Sequence, residues 1–207
     1  MAVTALAITG DVGAGKSTVA RLFERMGGVR LDADAIVAEL WGRPDVVAAA
    51  VGRWGSEILD LEGRVVRARV AARFFSSRAD YDWGCALLHP LARAEMAHRV
   101  NSLNSERSWV VAEIPMLFEG GVPEWVTATV FVTASWEVRV MRCRGRGWGE
   151  AELLRRESFF LPSKERADRS DFVVRNDGSV EELEHAVRFV YEQTVGGRGE
   201  GGGLQCS

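Results

Sequence analysis

The apolar positions of this chain come in two rhythms. Short continuous runs alternate with longer stretches in which apolar residues recur every three or four positions. The runs predict five strands, over 3–9, 29–31, 109–115, 128–134 and 171–175. The longer stretches predict helices over 16–26, 35–41, 45–54, 66–75, 85–104, 136–143, 150–159 and 180–194. Gly27 and Gly28 close the first helix, Glu62-Gly63 turns between 45–54 and 66–75, and Pro115 ends its strand. Ser135 stands where it would cap 136–143, with Glu137 in the first turn. Asn176-Asp177-Gly178 reads as a turn. The glycine-rich end, 196–207, is too poor in apolar side chains to order itself and is expected to be a disordered tail.

Strands that alternate with helices predict an α/β fold with a doubly wound five-stranded parallel sheet. A run such as 128–134 is apolar throughout, as burial on both faces requires. Ligands of such sheets sit beyond the carboxyl ends of the strands. That rule selects 10–18, 32–34, 113–119 and Ser135 as candidate site segments.

The first of these segments carries the most specific chemistry. Gly10-Asp11-Val12-Gly13-Ala14-Gly15-Lys16-Ser17-Thr18 fits G-x-x-x-x-G-K-[ST] between a strand and a helix. Glycines let backbone N–H groups curl around a phosphate. The helix that starts near Gly15 turns the positive end of its dipole toward the same anion. Lys16 has the reach for β- and γ-phosphates, and the Ser17 hydroxyl is a ligand for Mg²⁺. Lys16 and Lys164 are the only lysines in a chain that otherwise uses arginine. A compact ammonium fits among phosphates where a forked guanidinium does not.

Composition narrows the setting. At 207 residues and 47% hydrophobic, the chain reads as one domain, 1–195, with an inserted subdomain or lid. A net charge of −3 argues against a broad surface for nucleic acid. Cys85, Cys143 and Cys206 lack C-x-x-C spacing, so neither a disulfide framework nor a zinc site is expected. No leader pattern and no membrane-length apolar run is seen, which predicts a soluble, cytoplasmic protein without a membrane partner. The seven tryptophans are scattered and read as packing residues, not as a base-stacking platform.

Two further stretches point to phosphoryl transfer onto a small molecule. Asp32-Ala33-Asp34 ends the second strand. A carboxylate there can take a proton from an attacking hydroxyl or hold Mg²⁺ through water, and it can equally cap a helix. The stretch from Arg142 to Arg146 mixes arginine with glycine. It reads either as a lid that folds over a triphosphate and excludes water, or as a solvated basic turn.

Taken together, these motifs resemble the dephospho-coenzyme A kinase family, which has the P-loop nucleoside-monophosphate-kinase fold. Thr9 to Thr18 resembles its T-G-G-I-G-x-G-K-S-T loop and Asp32 to Asp34 its D-A-D. Gly63, Arg67 and Phe74 resemble its glycine-then-arginine turn into a helix. His89-Pro90-Leu91-Ala92-Arg93 resembles its H-P-x-x-R, and Pro115-Met116-Leu117-Phe118-Glu119 its P-L-L-F-E. Arg142 and Arg146 match its lid arginines, and Arg169 to Gly178 its late alanine-aspartate, strand, asparagine-glycine segment.

The resemblance implies phosphorylation by ATP of the ribose 3′-hydroxyl of dephospho-coenzyme A, giving coenzyme A and ADP. It implies a helical acceptor-binding subdomain at about 60–105 and a lid at about 142–160. Carried over residue by residue, Asp11, Val12, Gly13, Ala14, Gly15, Lys16, Ser17, Thr18 and Asn176 bind ATP. Lys16, Asp34, Arg142 and Arg146 are catalytic, with Asp34 the base. Thr9, Asp34, Arg67, His89, Arg93 and Glu119 contact the acceptor. Ser17 holds Mg²⁺, and Asp32 is a second candidate for it. His89 reads equally well as a packed histidine beside a helix-starting proline. ATP and dephospho-coenzyme A are the partners implied, on a monomer or small homo-oligomer.

Three positions depart from the family pattern. Asp11 replaces the second glycine of the loop, Phe160 stands at a usual glutamine, and 82–88 lacks a usual leucine-glutamate pair. A solvated Asp11 carboxylate would repel a polyphosphate by up to about 1 kcal/mol. Two other readings remain open: another small-molecule kinase of this fold, and a nucleotide-binding regulatory module without turnover.

Overall fold

The computed structural model describes residues 3–103 and 108–198. In chain order its elements are β1 (Thr4–Gly10), α1 (Lys16–Arg25), β2 (Val29–Asp32), α2 (Ala33–Leu40), α3 (Pro44–Trp54), α4 (Arg67–Phe74), α5 (Arg78–Asn101), β3 (Trp109–Glu113), β4 (Ala128–Thr133), α6 (Trp136–Arg144), α7 (Glu150–Glu157), α8 (Ser163–Asp168), β5 (Phe172–Arg175) and α9 (Val180–Thr194). Single 3₁₀ turns lie at Ser56–Ile58 and Gly196–Arg198. The rest of the expected tail, with Cys206, lies outside the described residues. The chain divides into two compact units: residues 32–101, and the described parts of 1–31 and 102–207.

The second of these holds the sheet. Its strands run parallel in the order β2-β3-β1-β4-β5, with β1 at the centre. Side chains alternate across each strand. Leu6, Ile8, Val130 and Val132 pack with Phe23 of α1 and Val187 of α9 in one apolar cluster. Phe131, one residue from Val130 and Val132, lies under the Arg166 guanidinium of α8, 5.3 Å from its ring centre. α9 starts with a capping box, in which Ser179 and Glu182 satisfy each other's backbone N–H groups. Among the described residues, no helix is long and apolar enough to cross a membrane.

Residues 32–101 form a helical unit that begins well before the expected 60. Its core joins Ala50, Trp54, Ile58 and Val70, with Trp41, Phe74 and Trp83 packed against them. Trp54 and Trp83 meet edge to face at 4.9 Å. The Trp54 indole N–H donates to Asp80 Oδ1 at 3.0 Å.

Two helices differ from expectation. α5 starts seven residues before the predicted 85, because Ser77, Asp80 and Tyr81 supply a cap and a buried face there. It also runs through Pro90, which therefore does not start a helix. The missing proline N–H deprives only the Ala86 carbonyl of its helical donor. α8 was not predicted at all. It is six residues long and mostly charged, and its one buried member is an arginine.

Candidate active site

The loop between β1 and α1 is shaped by backbone crowding. Gly10 has φ +147°, and a Cβ there would stand 2.0 Å from the Val132 carbonyl oxygen. Gly15, at φ +97°, is the residue before α1, and a Cβ on it would stand 2.4 Å from Asn176 Nδ2. Only glycine fits at either place. Lys16 opens α1 and its ammonium donates to the carbonyls of Gly10 at 3.1 Å and Asp11 at 2.9 Å. The nucleotide phosphates would replace those two acceptors.

Strand ends and α6 surround the loop. Asn176 follows β5 and donates from Nδ2 to the Ala14 carbonyl at 2.7 Å. Arg142 reaches from α6 to the same carbonyl at 3.2 Å and to Asn176 Oδ1 at 3.4 Å. The predicted ATP contacts Ala14, Gly15, Lys16 and Asn176 are thus brought together with Arg142, predicted as a catalytic lid arginine. Arg146 is exposed in the turn that closes α6, and Thr18 is exposed with its hydroxyl accepting from Arg21. Arg139, one turn before Arg142, had not been singled out. It is buried, pairs with Glu157 and donates to the Val12 carbonyl at 3.4 Å. Its spacing three residues from Arg142 was the available signal.

Asp11 corrects one expectation. It does not face the phosphate cradle. Its N–H is bonded to the Val132 carbonyl, and its carboxylate is held by Arg166 Nη2 at 3.0 Å and the Thr133 hydroxyl at 2.7 Å. Arg166 also donates to Gly10 O at 3.1 Å and Leu161 O at 2.9 Å. Phe131 and Phe160 flank it with ring centres at 5.3 and 5.2 Å. Two of the departures from the family pattern, Asp11 and Phe160, therefore meet on one buried guanidinium. Leu161 is held twice, since its N–H donates to Glu119 Oε1 at 2.8 Å.

Thr9 is also corrected. It is fully buried and its hydroxyl donates to the Pro115 carbonyl at 2.9 Å, so it presents no surface to an acceptor. Glu119 keeps one buried oxygen, Oε2, without a hydrogen-bond partner. Ser135 does not cap α6 with its hydroxyl. Its N–H donates to Asp177, whose carboxyl is held below the usual aspartate value chiefly by that bond.

In the helical unit, Asp32 is the cap of α2. Its Oδ1 accepts from the N–H groups of Asp34 at 3.0 Å and Ala35 at 3.1 Å. Asp34 is exposed in the first turn, and Arg67 is exposed at the start of α4. His89 and Arg93 are half-buried one turn apart on α5.

The end of β3 supplies a residue that the sequence marks only as part of the segment 113–119. The Glu113 carboxylate accepts from Ser17 Oγ at 2.7 Å and from Arg30 Nη2 at 2.9 Å. A hydroxyl and a carboxylate are hard oxygen donors that suit Mg²⁺, which completes its shell with phosphate oxygens and water. Among the described residues no group of three His, Cys, Asp or Glu forms a metal cage.

A phosphate loop with a hydroxyl–carboxylate pair and arginines fits many kinases. The comparisons with known proteins decide among them: the family model described as dephospho-CoA kinase matches residues 4–182. This chain belongs to the dephospho-CoA kinase family. Its activity is the ATP-dependent phosphorylation of dephospho-CoA in coenzyme A biosynthesis. A dephospho-CoA kinase of Deinococcus radiodurans is 38% identical over 181 residues, 86% of each chain. One of Thermus thermophilus is 34% identical and covers 96% of this chain and 95% of its own. The crystal structure of TT1252 from Thermus thermophilus superposes with a TM-score of 0.77 at 32% identity, over 93% of this chain and 98% of that one. The family membership removes the other-kinase and regulatory readings.

Proposed function

We propose that this chain moves the γ-phosphoryl group of ATP to the ribose 3′-hydroxyl of dephospho-coenzyme A, with the loop amides, Lys16, Arg142 and Asn176 holding the phosphate side. The observation that carries this reading is the Lys16 ammonium resting on the Gly10 and Asp11 carbonyls. It is anchored by two neutral acceptors that a polyphosphate outcompetes, because a charge-assisted bond is the stronger one.

On this reading Lys16 follows the transferring group and stabilises its developing charge, and Arg142 does the same from the lid side. Arg146 joins it when the segment at about 142–160 closes. Asp34 takes the proton of the 3′-hydroxyl, and the acceptor is oriented by Arg67, His89, Arg93 and Glu119. Ser17 and Glu113 would hold Mg²⁺, which would supply charge neutralisation to the phosphates. Asp32 caps α2 through Oδ1 and stays the second candidate for the ion. A cytoplasmic setting, small-molecule partners only, and a monomer or small homo-oligomer complete the reading.

The test is ADP release with Mg·ATP, comparing dephospho-coenzyme A with AMP, CMP, gluconate, shikimate and no acceptor. Turnover with dephospho-coenzyme A alone is expected. Turnover with another acceptor would overturn the acceptor assignment.

A further inference from the structure

The Glu113 carboxylate is divided between two partners. Oε1 accepts from the Ser17 hydroxyl at 2.7 Å, and Oε2 accepts from Arg30 Nη2 at 2.9 Å. Arg30 lies on β2, the strand beside β3 at the sheet edge. The ion pair is well enclosed, with side-chain exposures of 22% for Arg30 and 9% for Glu113. None of the motifs of the family resemblance includes Arg30.

We propose that Arg30 is a positioning residue that masks Glu113 from free divalent cations, so that the metal enters this site only with the nucleotide. The inference rests on the reading of Ser17 and Glu113 as the metal side. A carboxylate binds a cation, or the hydrogens of its bound water, through lone pairs and negative charge. Arg30 occupies one of the two oxygens and cancels the charge. A free cation therefore meets a neutral pair, with little to repay its dehydration. A cation carried by ATP brings its own phosphate ligands, and needs from the protein only the Ser17 oxygen and the Oε1 edge of Glu113. The guanidinium also holds the carboxylate plane fixed, which keeps the Ser17 hydroxyl hydrogen directed at Oε1 and its oxygen lone pairs open.

The experiment is a titration of the nucleotide-free, full-length protein with Mn²⁺, followed by electron paramagnetic resonance. Arg30→Met and Arg30→Gln both remove the charge, and Gln keeps a hydrogen-bond donor. Both are expected to bind Mn²⁺ at least about fivefold more tightly than the unsubstituted protein, the size expected for one unit charge near a divalent ion in a partly solvated site. Arg30→Lys, which keeps the charge, is expected to stay within about twofold. Adding Glu113→Gln to Arg30→Met is expected to abolish the gain. Circular dichroism identifies any variant that fails to fold, and the surviving neutral variant then decides. No tightening in a folded neutral variant overturns the proposal. A parallel titration with Mn·ADP separates the two levels. If Ser17→Ala weakens Mn·ADP binding while the Arg30 variants change nothing, the masking role alone falls. If Ser17→Ala has no effect, the metal-side reading falls and takes the masking role with it.

Discussion

Asp11 and Arg166 form an ion pair at 3.0 Å in which both side chains are 2% exposed. The pair sits at the first turn of the phosphate loop, where the family pattern has glycine. Its cost of burial is offset by full hydrogen bonding. Each of the three guanidinium nitrogens of Arg166 has an acceptor, and both Asp11 oxygens have a donor. The carboxylate therefore does not repel nucleotide, because its charge is already cancelled inside the protein.

Breaking that pair from one side is expected to be severe. Arg166→Met strands a buried carboxylate and should destabilise the fold by about 3–5 kcal/mol. Adding Asp11→Asn removes the stranded charge, so the double variant should be more stable than the sum of the singles by about 1–3 kcal/mol. Chemical denaturation of the four proteins measures the coupling, and strict additivity would show that the pair is not a unit.

Lys16→Ala should leave the fold in place, since Gly10 O keeps its bond from Arg166. Turnover should fall by about 10²–10³, the usual loss when one charge-stabilising donor is removed. Steady-state kinetics beside a thermal melt checks both halves.

Asp34→Asn should lower kcat by about 10²–10⁴, the range for removal of a general base. KM for ATP should hardly change, because Asp34 is assigned to the acceptor hydroxyl and not to the phosphates. A loss confined to ATP affinity would instead make Asp34 a metal or phosphate contact.

Asp80 ties stability to pH. The Trp54 indole N–H, followed by Ser77, Arg53 and Ser76, holds its carboxyl down to about 2. A carboxylate depressed in the folded state stabilises fully above its unfolded value near 4, and that contribution is lost as pH falls toward the folded value. Asp80→Asn should therefore melt below the unsubstituted protein at pH 6, and the gap should close between about pH 4 and 2. Melting curves across that window decide it.

The reading from sequence succeeded where period and punctuation agree. The five strands and the loop from Gly10 to Thr18 announce themselves by apolar runs and glycines. What escaped was chemistry that depends on tertiary partners. Arg166 sits in Ser-Lys-Glu-Arg-Ala-Asp, which looks like a solvated segment, and only its enclosure by Phe131 and Phe160 makes it a core residue. Glu113 is one acid at the end of an apolar strand, and its partners Ser17 and Arg30 lie 96 and 83 residues away. In a motif, a buried hydroxyl such as that of Thr9 looks the same as a ligand-facing one. The aspartates of 32–34 divide as their neighbours dictate: Asp32 accepts two amide hydrogens, and Asp34 is exposed in the first turn of α2.

Leu161 is gripped at both of its backbone groups, the amide hydrogen by Glu119 and the carbonyl oxygen by Arg166. The two peptide units that flank Leu161 are thereby each tied down, one to Glu119 and the other to Arg166. On the lid reading, a swing of the preceding arginine-rich segment would be taken up by torsions before residue 161. Through the one side chain of Arg166, this fixed point of the chain is joined to Gly10 and Asp11 at the floor of the phosphate loop.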